Sequence, residues 1–147
     1  MTDEQLSADD RQAIADVQIR YATACDRREW ALFDHVFVPD VLADYGEGFR
    51  FEGREAVVAS IRSMLGGCGP SQHLLGNHRA AHDGTEVVAS CTIRAFHRGR
   101  GETAATTYEA LGEYHDVVVR TAEGWRISVR RMDVIAELGS REVLGPG

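Results

Sequence analysis

The chain has 147 residues, 44% of them hydrophobic and 27% charged, which is typical of one globular domain with a single core. Its formal net charge of −7 argues against nucleic acid as a partner, because phosphate binding requires a clustered basic surface. No stretch approaches the roughly 18 consecutive apolar residues of a membrane-spanning helix, and the polar segment 1–6 does not resemble a secretory signal. We therefore expect a cytoplasmic protein that binds neither nucleic acid nor membranes.

The residues that hold metals and cofactors do not form a known pattern. Cys25, Cys68 and Cys91 are odd in number and widely spaced, which fits neither a disulfide framework nor a CxxC zinc site. The histidines fall mostly in predicted strands, where side chains alternate between faces, and they form no two-His-one-carboxylate cluster. The glycine-rich signatures of dinucleotide and nucleoside triphosphate sites are also missing. We expect neither a metal nor a cofactor.

Apolar periodicity predicts three helices in the first half of the chain. Ser7 is a favourable N-cap, and the apolar residues behind it recur with helical spacing, which predicts a first helix over 8–27. A second helix is predicted from Trp30 and ends before Pro39, because proline disfavours helix in the residue that precedes it. The third helix is predicted over 54–65, where a pair of glycines ends it.

Alternating apolar residues and turn signals predict strands for most of the remaining chain. Two short strands surround a glycine-rich turn before the third helix, and four long strands follow it, with Asp83-Gly84 as a strong hairpin signal. The predicted strands are 41–45, 49–51, 72–82, 86–97, 104–120 and 125–138. Residues 139–147 are expected to form a tail beyond a core of residues 7–138. Because no linker divides the chain, residues 1–147 are predicted to be a single α+β domain.

This element order, together with four segments, resembles the SnoaL-like group of the nuclear transport factor 2-like superfamily. The segments are Ile19-Arg-Tyr-Ala-Thr-Ala-Cys-Asp-Arg-Arg-Glu-Trp30, Phe51-Glu-Gly-Arg-Glu-Ala-Val57, Gln72-His-Leu-Leu-Gly-Asn77 and Gly124-Trp-Arg-Ile127. The resemblance implies a cone-shaped, curved antiparallel sheet, an α+β barrel, in which three N-terminal helices enclose an apolar pocket. The superfamily includes dehydratases, a dehydrochlorinase, isomerases, polyketide cyclases, dioxygenase small subunits and proteins without catalysis.

Two branches of this family match the chain residue by residue. Scytalone dehydratase has a tyrosine and then an aspartate on its first helix and two histidines on successive strands, and Tyr21, Asp26, His73 and His97 match these positions. Hexachlorocyclohexane dehydrochlorinase has an Asp–His pair with an asparagine four residues after the histidine, matched by Asp26, His73 and Asn77. This second branch has a lysine in place of Tyr21. The resemblance therefore implies loss of an oxygen group rather than of chloride.

The resemblance implies that Asp26 and His73 form an acid–base pair. A histidine that donates one ring hydrogen to a carboxylate has a fixed tautomer and keeps its other nitrogen free as a general base. His73 would then take a proton next to a carbonyl group, Tyr21 would hydrogen-bond the oxygen on which charge develops, and His97 would protonate a departing hydroxyl.

Three further residues are predicted to bind the substrate. Tyr45 is the nearest candidate for a second tyrosine in the pocket. Asn77 shares the face of His73 if no bulge interrupts the strand. One of the adjacent Arg130 and Arg131 is predicted to face inward or toward a partner, where it pairs with an acidic residue or binds a substrate carboxylate. Arg131 is the candidate for this binding role.

These expectations favour a cofactor-free lyase of the dehydratase type that acts on a small apolar cyclic or aromatic hydroxy compound. An isomerase or a polyketide cyclase would use the same pair without a leaving group. A non-catalytic ligand-binding protein or a dioxygenase small subunit is the other class, although such a subunit would not need the pair. The long strands suggest a homodimer or a homotrimer that associates through the outer face of the sheet.

Overall fold

The structure is a computed structural model that describes residues 5–147, so the predicted start of the domain and most of the polar segment 1–6 lie outside the described residues. The elements are α1 (Ala8–Arg27), a 3₁₀ helix (Trp30–His35), β1 (Phe37–Asp44), β2 (Arg50–Glu52), α2 (Arg54–Leu65), β3 (Ser71–His82), β4 (Val87–Arg98), a 3₁₀ turn (Gly101–Thr103), β5 (Thr107–Thr121), β6 (Gly124–Gly139) and a 3₁₀ turn (Arg141–Val143). The predicted α+β class is confirmed. Within residues 5–147, no helix combines the length and the apolar character that a membrane crossing requires.

Both α-helices have the predicted boundaries. The Ser7 side chain accepts the backbone N–H of Asp10 at 3.0 Å, and the Asp10 carboxylate accepts the backbone N–H of Ser7 at 3.2 Å. This capping box satisfies two N–H groups that have no partner within α1. The apolar stripe of α1 is buried against the sheet, as Ile14 and Val17 show with exposures of 1% and 2%. The capping residues and the buried stripe together account for the position of α1.

The prediction of a second helix from Trp30 to just before Pro39 is wrong beyond the first turns. It is a six-residue 3₁₀ helix, Trp30–His35, and β1 begins at Phe37. Apolar spacing over so short a run does not distinguish a helix from a buried strand, and Phe37 is fully buried as a strand residue. Pro39 is accommodated inside β1 because the pairing with β6 is irregular between Phe37 and Leu42, where a residue without an N–H is tolerated.

The six strands form one curved sheet in the order β2-β1-β6-β5-β4-β3. Neighbouring strands are antiparallel except β1 and β6, which are parallel. The sheet is therefore mixed and not wholly antiparallel as predicted. The reason is the connection: α2 and three long strands separate β1 from β6 in the chain, and parallel neighbours require such a long crossover.

The inner face of the sheet packs against α1 and α2 and forms the main core. Along β4 the buried residues alternate with more exposed ones, and the buried set is Ala89, Cys91, Ile93, Ala95 and His97. This alternation places His97 on the same face as the apolar core.

Residues 139–147, predicted to be a tail, pack back onto the end of α2. The Gly145 N–H donates to the Met64 carbonyl at 2.7 Å, and the Gly67 N–H donates to the Gly145 carbonyl at 2.7 Å. A Cβ at position 67 would collide with the Pro146 carbonyl oxygen, so this close backbone contact requires glycine. We call residues 140–147 the C-terminal segment.

Candidate active site

A cavity of about 110 Å³ lies between the two α-helices, the inner face of the sheet and the C-terminal segment. Most of its lining is apolar and comes from α2, the central strands and the C-terminal segment. A connected set of polar aromatic side chains lies among these apolar residues: Tyr21, Tyr45, His73, His97, Tyr108 and Tyr114. The cavity therefore combines an apolar wall with a small number of hydrogen-bonding groups, as small-molecule sites do.

The structure brings Asp26, in the last turn of α1, into contact with His73, near the start of β3. Asp26 Oδ1 lies 2.6 Å from His73 Nδ1, and Asp26 Oδ2 accepts the backbone N–H of His73 at 2.7 Å. Since a carboxylate has no hydrogen to donate, we assign the ring hydrogen to Nδ1. In the neutral ring Nε2 then has a free lone pair, and His73 lines the cavity.

The position of His73 at the sheet edge explains how one carboxylate can bind both its ring and its backbone. β3 is an edge strand that pairs with β4 on one side, where His73 lies opposite Ala95. The His73 N–H is used on the other side, by Asp26 on α1. Asp26 thus satisfies a backbone donor of the edge strand and orients the imidazole at the same time.

Asp26 remains ionised at neutral pH. Burial by itself raises the pKa of Asp26, but the hydrogen bonds and the charge of His73, with a further hydrogen bond from Ser71, outweigh burial and lower the pKa below its ordinary value. The Ser71 hydroxyl donates to Asp26 Oδ1 at 2.9 Å. The carboxylate is therefore available to balance a positive charge on His73.

Tyr21 and Tyr45 form a hydrogen-bonded pair in the cavity, with their hydroxyl oxygens 3.1 Å apart. Burial raises the pKa of Tyr45 to about 12 and the pKa of Tyr21 well above its ordinary value, so both remain protonated. Because one hydroxyl donates to the other, the pair keeps one O–H that a ligand oxygen can accept.

His97 lies beside His73, with ring centroids 5.6 Å apart, and its Nδ1 is 3.2 Å from the Tyr108 carbonyl oxygen. A carbonyl accepts, so Nδ1 carries the hydrogen and Nε2 is an acceptor. Burial, with a contribution from the charge of His73, lowers the pKa of His97 to about 4. A neutral ring protonated on Nδ1 has no hydrogen on the other nitrogen, which disagrees with the predicted role of His97 as a proton donor to a leaving hydroxyl.

Two predicted substrate-binding residues are not at the cavity. The register between β3 and β4 changes between Gly76 and Arg79, and Asn77 adopts a left-handed conformation with φ of 53°. The Asn77 side chain is exposed and donates to Thr92 Oγ1 at 3.2 Å, because this bulge turns it away from the face of His73. Arg131 is exposed and pairs with Asp133 at 3.0 Å.

The inward-facing arginine is Arg130, which was not among the predicted site residues. It is fully buried, and its Nε and Nη2 each donate to Asp116 at 2.8 Å. Its guanidinium carbon lies 3.9 Å from the ring centroid of Tyr114 and 4.3 Å from that of Tyr21. Burial alone would lower the pKa of Arg130, but the Asp116 carboxylate outweighs it and raises this pKa, so Arg130 remains charged. The expected pairing of the inward arginine with an acidic residue is confirmed for Arg130.

Among residues 5–147, Cys25 and Cys91 do not add a nucleophile, and the other histidines do not add a metal site. Cys25 lines the cavity, but burial raises the pKa of its thiol to about 12. Burial also raises the pKa of Cys91 to about 12. A buried thiol with so high a pKa is not a nucleophile at neutral pH. In the part of the chain that the structure describes, no three His, Cys, Asp or Glu side chains are grouped closely enough to hold a metal ion.

Comparison with known proteins identifies the family. The model of the SnoaL-like domain matches residues 6–131, and the chain belongs to this family, as its sequence pattern implied. The uncharacterized protein Rv2910c of Mycobacterium tuberculosis is 32% identical over 127 residues, which are 84% of each chain.

Solved structures share the fold. Kfla4162 from Kribbella flavida superposes with a TM-score of 0.81 at 24% identity and covers 88% of this chain and 93% of its own. Hexachlorocyclohexane dehydrochlorinase LinA-type3 from Novosphingobium barchaimii has a TM-score of 0.76 at 12% identity, with 90% and 91% covered. A Novosphingobium aromaticivorans protein with the provisional name scytalone dehydratase has a TM-score of 0.74 at 19% identity, with 92% and 91% covered. At these identities the likeness is one of fold.

Proposed function

We propose that this protein is a cofactor-free lyase of the dehydratase type, in which His73 removes a proton from carbon and Asp26 holds its ring. The observation that carries the proposal is the 2.6 Å contact between Asp26 Oδ1 and His73 Nδ1 at the wall of a mostly apolar cavity. Nδ1 is occupied by Asp26, so Nε2 is the free base. A surrounding apolar wall strengthens each charge interaction that the reaction develops.

The reaction begins with the breaking of a C–H bond next to a carbonyl group. The proton moves to His73 Nε2, and negative charge develops on the carbonyl oxygen. The Tyr21–Tyr45 pair donates its remaining O–H to that oxygen. Asp26, which is ionised, balances the imidazolium that His73 becomes.

The second half of the reaction breaks the C–O bond to a hydroxyl group on the neighbouring carbon while the C=C bond forms. The departing oxygen needs a proton, and neutral His97 has no hydrogen on Nε2 to give. We assign this proton to His73, which gives back from Nε2 the hydrogen that it removed, so that water leaves and the base is restored. His97 Nε2 then acts as an acceptor that binds a donor group of the substrate.

The size of the cavity favours a small substrate. Its volume of about 110 Å³ is below that of the engineered apolar cavity of about 150 Å³ that binds benzene. Since the C-terminal segment contributes Leu144 and Arg141 to the lining, a small movement of this segment would enlarge the site. A cyclic or aromatic hydroxy compound with a single ring has more heavy atoms than benzene and would need this enlargement to bind.

An isomerase or a cyclase with the same pair is the second candidate. One contact favours it: His97 Nδ1 lies 3.2 Å from the Tyr108 carbonyl oxygen, which leaves Nε2 of the neutral ring without a hydrogen to donate. A reaction without a leaving group needs no second proton donor. Proton removal and return by His73 alone would complete such a reaction.

Product analysis of the purified protein with small cyclic β-hydroxy ketones tests the proposal and separates the two candidates. Elimination gives a product that is lighter by one water, whereas isomerisation leaves the mass unchanged in H₂O and introduces deuterium in D₂O. We expect His73→Ala to lower kcat by about 10²- to 10⁴-fold, the usual contribution of a general base. His35→Ala, at an exposed histidine, is the control. Full turnover by folded His73→Ala would overturn the proposal.

A further inference from the structure

Arg28, two residues after Asp26, has an unusual backbone conformation. It ends α1 in the left-handed region with φ of 55°, a position where helices usually have glycine or asparagine. A side chain with a Cβ costs conformational energy there that glycine avoids. An arginine at such a position suggests that its side chain has a role that glycine could not fill.

The guanidinium of Arg28 joins three parts of the chain around the candidate pair. Its Nη1 donates to the Cys25 carbonyl at 2.5 Å, at the end of α1, and its Nε donates to the Leu65 carbonyl at 2.9 Å, at the end of α2. Its Nη2 donates to the Gly69 carbonyl at 2.7 Å, in the loop that leads to β3. The side chain thus fixes the end of α1, which bears Asp26, relative to the start of β3, which bears His73.

Arg28 also determines where the hydroxyl hydrogen of Ser71 points. Nη1 of Arg28 donates to Ser71 Oγ at 2.8 Å. A guanidinium cannot accept a hydrogen bond, so Ser71 must accept from Arg28 and is free to donate its own hydrogen elsewhere. That hydrogen goes to Asp26 Oδ1 at 2.9 Å, the same oxygen that contacts His73 Nδ1. The contacts form a continuous series from Arg28 through Ser71 and Asp26 to the ring of His73.

We propose that Arg28 is a positioning residue that holds the Asp26 carboxylate in line with His73 Nδ1 through the hydroxyl of Ser71. The catalytic meaning of this inference rests on the function proposed above, and it adds a residue that acts outside the lining of the cavity. Two donors besides the imidazole, Ser71 Oγ and the His73 backbone N–H, then fix the plane of the carboxylate. Without the first donor the carboxylate can rotate about its last bond, and the Nδ1–H tautomer of His73 loses its preference.

Arg28→Gly is the sharpest variant, because glycine suits the left-handed backbone while all four hydrogen bonds of the guanidinium are lost. Ser71→Ala removes the relaying hydroxyl alone. Arg27→Ala is the matched control, since Arg27 is the neighbouring arginine and is exposed. If Arg28→Gly does not fold, Arg28→Lys keeps the charge but cannot form the planar fork and tests the same point.

The readout is the tautomer of neutral His73, obtained from the two ring ¹⁵N shifts of histidine-labelled protein at alkaline pH, with His73→Ala to assign the signals. We expect the Nδ1–H form to dominate in the wild type and in Arg27→Ala. In Arg28→Gly and Ser71→Ala we expect this dominance to be lost and a mixture with the Nε2–H form to appear.

Retention of the wild-type tautomer in folded Arg28→Gly would overturn the inference and leave the proposed function intact, because this measurement needs no substrate. Conversely, full turnover by His73→Ala would overturn the proposed function whatever the tautomer result.

Discussion

Two carboxylates each contact a nitrogen base whose side chain lies near the Tyr21 ring, and the two pairs differ in almost every physical respect. Asp116 and Arg130 have fully buried side chains, whereas the side chains of Asp26 and His73 are 22% and 7% exposed. Arg130 keeps its charge at any ordinary pH, while histidine is the side chain that exchanges protons near neutrality. Burial and close contact are common to both pairs, so they do not make either one a candidate for catalysis. Asp26–His73 is the candidate because its base is titratable and has a free nitrogen at a cavity.

The surroundings of the two carboxylates reinforce this difference. Asp116 accepts both bonds from Arg130 and a third from Gln18 Nε2 at 3.1 Å, and Gln18 in turn contacts His78 at 2.8 Å. These partners hold a permanent charge pair inside the core. Asp26 is held as firmly, but its partner His73 lines the cavity. We therefore regard Asp116–Arg130 as structural and propose the catalytic role for Asp26–His73.

The largest expected effect is on stability and distinguishes the two pairs directly. Asp116→Asn leaves the Arg130 cation buried without its counter-charge, and we expect a loss of about 3–5 kcal/mol in the free energy of unfolding. Asp26→Asn removes charge-assisted hydrogen bonds, but the imidazole of His73, unlike a guanidinium, has a neutral form, so no unpaired charge needs to be buried. We expect a loss of about 1–2 kcal/mol in the free energy of unfolding. Asp133→Asn, at the exposed pair with Arg131, should cost less than about 1 kcal/mol. Urea unfolding of the three variants gives this order. Equal losses for Asp116→Asn and Asp26→Asn would remove the distinction between the fully buried pair Asp116–Arg130 and the pair Asp26–His73 at the cavity.

The next effect concerns His97 and the pH dependence of stability. Burial lowers its pKa from 6.5 to about 4. Between these values the unfolded chain binds a proton that the folded chain does not, so the free energy of unfolding falls as the pH decreases through this interval. The expected loss is about 3 kcal/mol, from a shift of about 1.4 kcal/mol per pKa unit.

Comparison with His97→Gln isolates this contribution. We expect chemical denaturation of the variant to lack most of the pH dependence of the wild type between pH 6.5 and about 4. The contribution of Asp26 lies at lower pH, because its pKa is lowered below 3.8 and its stabilisation is lost as the pH falls from about 3.8 through that lowered value. Identical pH profiles for the wild type and His97→Gln would show that His97 is not held neutral by burial.

The smallest expected effect concerns the C-terminal segment, which forms part of the wall of the cavity that His73 also lines. In Gly67→Ala the new Cβ meets the Pro146 carbonyl oxygen, so we expect the segment to be released at a cost of about 1 kcal/mol. Hydrogen exchange at the Gly145 amide, which donates to Met64, should accelerate. Gly76→Ala is the control, because a Cβ at that position meets no atom within 4 Å. Unchanged protection of Gly145 in Gly67→Ala would show that the segment does not depend on this contact.

The parts of the fold that depend on local chemistry were predictable from the sequence. The N-cap and apolar stripe of α1 gave its boundaries to the residue, and the turn at Asp83-Gly84 separates β3 from β4 as expected. Asp26 and His73 are far apart in the chain, and only the family resemblance suggested their contact. The parallel pairing of β1 with β6 was not predictable, because it depends on how the long crossover closes.

The errors at the site come from strand irregularities. The register between β5 and β6 changes twice, near Gly112 and near Val118. Alternation counted along the sequence therefore could not decide which of Arg130 and Arg131 faces inward. The bulge in β3 moved Asn77 outward in the same way. Bulges depend on contacts between strands and leave no clear mark in a single sequence.

The central claim is that Asp26 and His73 act as one unit, and a double-mutant cycle on kcat tests it most directly. If the function of Asp26 is to orient and balance His73, its removal has no further effect once the imidazole is gone. We therefore expect the double variant Asp26→Asn/His73→Ala to be as slow as His73→Ala alone, about 10²- to 10⁴-fold below the wild type. Losses that multiply, so that the double variant is slower than His73→Ala by the full factor of Asp26→Asn, would contradict the account.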